Sequence, residues 1–163
     1  MALIVENGTI VSGANTYVSD SEYTTYAAER GYTIGATGSV REIELIKAMD
    51  FLESYRDRFK GSKVTKSQQL QWPRVSVFID TFQENSNEIP QELKKSQMEL
   101  AYQSITLNLA PSGAFQNVQS QGLGALSVSY YNGGSYQSVQ LKSVDLYLRV
   151  LLKNMNRNVA LRA

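Results

Sequence analysis

A chain of 163 residues is long enough for one domain that buries about two-thirds of the surface its unfolded form exposes. Its 16 Lys and Arg against 15 Asp and Glu leave a formal charge of +1, too little to steer the whole molecule toward polyanions, so any contact with nucleic acid has to be local. Cysteine and histidine are both absent, which excludes disulfides, thiolate zinc centres, Cys nucleophiles and Ser-His-Asp triads, and removes the commonest general base and transition-metal ligand near neutral pH.

No apolar run approaches the roughly 18 residues that span a bilayer, and the N-terminus lacks the basic start and apolar core of a secretory signal. The expectation is a cytoplasmic, non-enzymatic protein with no metal, no cofactor and no membrane partner. Asn7-Gly8-Thr9 matches the glycosylation triplet, which without a secretory signal is a coincidence of sequence.

In chain order, Asn7-Gly8 between two β-prone runs predicts a short hairpin or extended arm over residues 1–18. Ser19 and Glu22 form a capping box that opens a helix running to about Arg30 and stopped by Gly31, with Tyr23, Tyr26 and Ala27 on its apolar face. Ser39 and Glu42 repeat the box and predict a longer helix to about Phe59. Its stripe is Leu45, Ala48, Met49, Leu52, Tyr55 and Phe59; Lys47, Asp50, Glu53, Ser54, Asp57 and Arg58 face water. Ile43 and Ile46 fall off the stripe, as surface apolar residues or as a second face for a partner subunit.

Gln71-Trp72-Pro73-Arg74 holds the only tryptophan, pinned at a corner by a proline that follows a short helical turn over residues 66–71. There Trp72 is an inter-helix packing anchor, or a ring on which a ligand stacks. An irregular stretch follows around Val75 to Phe82. Ile89-Pro90 opens the next helix, in which Leu93, Leu100 and Leu107 recur every seven residues until Pro111. Residues 112–141 lose nearly all charge. Alternation in residues 126–130, the turn Asn132-Gly133-Gly134-Ser135 and the run 136–141 predict a second hairpin. A last helix carries Val144, Tyr147, Leu148, Leu151 and Met155, and after Asp145 the chain has Arg149, Lys153, Arg157 and Arg162 but no acid.

The motifs that carry chemistry are missing. There is no Gly-x-Gly-x-x-Gly, no Walker-type loop and no calcium loop. Glu42 and Glu44 lie roughly 200° apart on a helix and read as solvated charges; Asp50 and Asp57 stand in a mixed-sign surface. A two-carboxylate glycosidase survives on composition alone, with no spacing to support it. Tyr130, Tyr131 and Tyr136 could stack bases, but with only Lys142 in that region cross-strand packing or subunit contact is favoured. The basic tail is either a solvated end or an arm that folds onto a partner, with Leu161 as its apolar anchor.

The order of these motifs resembles a known family. Glu6-Asn7-Gly8-Thr9, Asn15-Thr16-Tyr17-Val18-Ser19, Tyr26, Arg30-Gly31, the run from Leu45 to Leu52, Gln71-Trp72-Pro73-Arg74, Ile89-Pro90 and the run from Gln97 to Ala101 are similar to those of tailed-bacteriophage head–tail connectors. These adaptor or head-completion proteins are often labelled DnaT-like single-stranded-DNA-binding proteins. The resemblance implies a mainly α protein, a small helical bundle with an inserted β-hairpin and extended N- and C-terminal arms, organised as one domain over 1–163 (arm 1–18, helical core 19–110, hairpin 112–141, last helix and tail 142–163).

It further implies a homo-oligomeric ring of about twelve copies in the virion neck, assembled in the host cytoplasm. One side would bind the portal protein and the other the next neck or tail protein, with DNA passing through the channel without sequence-specific contacts. On that reading Trp72, Pro73 and Arg74 are the structural anchor. Arg149, Lys153, Arg157, Leu161 and Arg162 form the portal-docking arm, and Ile43, Ile46, Tyr130, Tyr131 and Tyr136 form the subunit interface. The alternative is a primosome-like module that binds single-stranded DNA.

Overall fold

A computed structural model describes residues 2–109, 120–123, 126–129 and 141–153. The contacts divide the chain into two compact units, residues 1–109 with 141–163, and residues 110–140. The protein is mainly α with a small β-hairpin, as expected: helices α1 (Asp20–Arg30), α2 (Gly38–Glu53), α3 (Gln91–Gln103) and α4 (Lys142–Leu148), with short strands β1 (Ser62–Lys63), β2 (Arg74–Val75), β3 (Phe78–Ile79), β4 (Phe82–Gln83), β5 (Ser120–Leu123) and β6 (Leu126–Ser129).

In the first unit α3 packs against both α2 and α4, and α1 packs against α2. The Ser19 box forms at α1: the Glu22 N–H donates to Ser19 Oγ at 3.2 Å, and the Ser19 N–H donates to Glu22 Oε2 at 2.8 Å. Gly31 ends the helix in the left-handed region. The stripe Leu45, Ala48, Met49 and Leu52 is buried against Leu93, Leu100 and Ala101 of α3 and Val144 and Leu148 of α4 in one core.

Several expectations are corrected. Of the two readings of the N-terminal segment, hairpin or extended arm, the hairpin does not form; among the described residues the ladder contact there is a parallel bridge between Val5 and Thr16. The reason is Glu6, whose buried carboxylate accepts from the N–H groups of Gly8 (2.8 Å), Ile10 (3.0 Å) and Val11 (2.8 Å) and so takes the donors a strand would use. Gly8 is at φ +108°, and a Cβ there would fall 1.9 Å from the Asn87 carbonyl oxygen, so only glycine fits.

The second capping box does not form. Thr37 is the N-cap of α2 without a side-chain bond to the helix N–H groups, its hydroxyl meeting that of Ser39, which already lies inside the first turn. Helix α2 stops at Glu53 rather than near Phe59, giving way to tight i→i+3 turns in which the Ser54 hydroxyl bonds the Phe51 carbonyl at 2.6 Å. Residues 66–71 are turns and bends, not a helix, and α3 ends at Gln103, leaving Leu107 outside it and exposed.

In the second unit the hairpin pairs β5 with β6, Leu123 opposite Leu126 and Ser120 opposite Ser129. Residues 126–129 thus pair with the chain before them; the turn Asn132-Gly133-Gly134-Ser135 and the run 136–140, expected as their partner, lie outside the described residues. Tyr130, Tyr131 and Tyr136, with Arg157, Leu161 and Arg162, lie outside the described residues.

Candidate nucleic-acid interface

The Trp72 corner sets the scaffold of this region. Trp72 is 0% exposed, its ring edge-on to Phe59 at 6.1 Å between centroids, and its backbone N–H donates to the Tyr17 hydroxyl at 3.0 Å. The peptide bond to Pro73 is cis. Arg74 is buried too, yet among the described residues its guanidinium meets backbone oxygens and the Gln71 side-chain oxygen (3.3 Å) instead of a carboxylate. Nε donates to the Lys60 carbonyl (2.7 Å), Nη2 to that of Gly61 (2.8 Å) and Nη1 to that of Gln71 (3.3 Å). Burial pulls its pKa below the ordinary arginine value.

Arg74 thus holds the backbone of a loop whose own side chains are cationic. Within residues 56–66 stand Arg56, Arg58, Lys60, Lys63 and Lys66 against one acid, Asp57. Arg56, Arg58 and Lys66 are exposed. The Lys60 ammonium reaches the Phe78 carbonyl at 3.1 Å, and the Lys63 ammonium turns back to the Gln68 carbonyl at 2.7 Å. A fixed loop whose cations form no ion pair among the described residues suits a phosphate backbone, because counterions rather than protein carboxylates are released on binding.

Two neighbours extend this rim. An isolated bridge pairs Phe59 with Leu152, and the Lys153 N–H donates to the Arg58 carbonyl at 2.8 Å, so Lys153 stands beside Arg58 with its ammonium 3.2 Å from the Asp57 carbonyl. On the other side the hairpin β3–β4 turns through Asp80 and Thr81, both left-handed (φ 48° and 73°) as a two-residue type I′ tip requires. It carries Phe78, 51% exposed, and Phe82, 75% exposed.

Of the residues singled out from sequence, Trp72, Pro73 and Arg74 are buried together under this loop, Lys153 joins the cationic rim, and Arg149 is exposed at the end of α4. Ile43 is 53% exposed on α2, whereas Ile46 is half-buried. Sequence reasoning missed the basic run because the expected elements divide it: Arg58 falls on the wet face of a helix to about Phe59, Lys66 on a separate turn, and Lys60 and Lys63 between them. The available signal was five cations in eleven residues just ahead of two phenylalanines in an irregular stretch.

Glu44 corrects the view of it as a solvated charge. It is 6% exposed and its Oε2 accepts from the Tyr23 hydroxyl of α1 at 3.1 Å. Burial raises its pKa above the ordinary glutamate value, against the lowering effect of the Tyr23 bond. The folded state therefore binds a proton there more readily than the unfolded chain, and stability contributed by this group falls as pH rises from the ordinary glutamate range through the raised folded value. Urea midpoints across that range should decline for the wild type and flatten for Glu44→Gln; parallel curves would show that Glu44 is not the source. Among the described residues no group of three or more carboxylates converges to hold a metal ion.

Across residues 1–163 the chain matches the family described as "Putative DnaT-like ssDNA binding protein". The chain belongs to that family. The match covers the whole DnaT-like sequence, the basic loop and both hairpin regions included, and it accords with the DnaT-like label of the motif resemblance while lending no support to a phage head–tail connector. No curated protein and no solved structure matches the chain.

Proposed function

We propose that this DnaT-like protein binds single-stranded DNA through its backbone, without sequence preference, and that the rim of Arg56, Arg58, Lys60, Lys66 and Lys153 carries the phosphates. The observation that supports this most is the loop itself: exposed cations on a backbone fixed by the buried Arg74, with one acid among them. The role is non-enzymatic and needs no cofactor. Three or four phosphate contacts on single strands give a slope of log affinity against log salt of about −2 to −3. Anisotropy titrations of an oligothymidylate at several salt concentrations should show that slope, and Arg56→Glu with Arg58→Glu should weaken binding at least tenfold at low salt. A salt-independent affinity, or no binding at low salt, removes the reading.

A second reading, a ring-forming adaptor between a phage portal and the neck, is favoured by one surface. Val40 and Ile43 lie one turn apart on α2 and are 45% and 53% exposed, where a neighbouring copy would cover them. In such a ring the cationic rim would face passing DNA. Mass photometry at rising concentration tests it: oligomers that Ile43→Asp abolishes support the ring, and a monomer at all concentrations removes it.

A further inference from the structure

The hairpin β3–β4 is more than an exposed edge. In an antiparallel ribbon, directly opposed residues share a face. Phe82 is opposed to Ile79 and Phe78 to Gln83, so the two phenylalanines project from opposite faces of a ribbon only two residue pairs long. Both are largely exposed, and Phe82 is the most exposed large apolar side chain among the described residues. A single apolar patch for a protein partner would gather its rings on one face; here each face has its own.

The charges around the ribbon are graded. The tip carries Asp80, unsuited to phosphate, and the one acid at the base, Glu84, whose N–H donates to the Val77 carbonyl at 2.9 Å, is outnumbered by the cations there. At the base the Lys60 ammonium sits on the Phe78 carbonyl, followed by Arg58 and Lys153. A nucleic-acid backbone is therefore held at the base while the tip reaches among bases, where a flat ring stacks on any base.

The geometry points to a wedge that recognises the junction between single- and double-stranded DNA: one phenylalanine stacks on the last base pair and the other on the first unpaired base. This rests on the single-strand-binding reading above. A junction suits a two-faced ribbon better than a free strand because the end of a duplex is already ordered, so one of the two stacks forms without immobilising flexible nucleotides.

The test compares the full-length protein on a single strand, a blunt duplex and a forked duplex of matched length, by anisotropy at one low salt concentration. The fork is expected to bind about tenfold more tightly than either of the others, since one added stack is worth on the order of tenfold. Phe78→Ala and Phe82→Ala should each remove most of that preference and lower single-strand affinity less. Both residues are exposed, so unchanged thermal melts will show that the variants fold. Equal affinity for fork and single strand, or a preference that survives both substitutions, overturns the wedge and leaves single-strand binding standing. No binding to any of the three overturns the wedge and the single-strand reading together.

Discussion

Trp72→Ala is expected to destabilise the protein by about 3–5 kcal/mol, the range for emptying a fully buried large aromatic site. The indole lies edge-on to Phe59, in the same core as Tyr17 and Leu52, and its segment carries Arg74 into the loop carbonyls. Collapse of the cavity is hindered because the walls are tied down on several sides: Tyr17 by the Trp72 N–H, Gln71 by the Glu53 carboxylate, and Phe59 by its bridge to Leu152. Thermal midpoints should fall by about 6–20 °C for a chain of this size. Among the described residues the indole N–H meets no acceptor, so Trp72→Phe forfeits no hydrogen bond and should cost clearly less than the alanine. Equal losses for the two would mean that the corner is held by its backbone and not by the ring.

Gln97→Leu is the second large effect, about 2–4 kcal/mol, although it preserves volume and adds apolar character. This side chain, fully buried on α3, accepts from the Tyr17 N–H at 3.0 Å and donates to Thr16 Oγ1 at 2.8 Å and to the Leu45 carbonyl at 3.2 Å. It joins the N-terminal segment, α2 and α3 at one point. Leucine would leave the Tyr17 amide buried without a partner, and an orphaned donor costs about 1–3 kcal/mol beyond the lost bonds. Hydrogen exchange should locate the damage: protection of the Tyr17 amide should fall far more than that of Ala27 or Leu100. A uniform loss of protection would argue against a local role for the amide.

Local signals in the sequence translated well where the partners are close in the chain. The Ser19–Glu22 box, the Gly31 stop and the stripe from Leu45 to Leu52 depend on neighbours within one or two turns, and each is found in place. Failures arose where a side chain outside the expected pattern competed, whether close in the chain or far from it. Glu6 intercepts the N–H donors of the expected first hairpin, and Tyr23 supplies a buried partner to a glutamate that a helical wheel assigns to water. The pairing of residues 126–129 with the segment before them was not anticipated, because 120–123 shows no clear alternation to mark it as a strand.

The candidate site was legible only in pieces. Trp72 and Arg74 stood out by residue type, but Arg74 gains its meaning from the carbonyls of Lys60 and Gly61, which no spacing reveals. Lys153 reaches the rim through a pairing that spans almost a hundred residues. The family's description speaks of single-stranded DNA for the chain as a whole, whereas the basic loop and the two-faced hairpin are the specific atoms proposed for it.

The grip of Arg74 on backbone oxygens separates the shape of the loop from its charge. Because the main chain is held from beneath, the outward residues Arg56, Arg58 and Lys66 can be exchanged without remoulding the support. Affinity for a polyanion could thus drift or be retuned over a wide range while the platform stays put, whereas a change at the hidden guanidinium would cost both together.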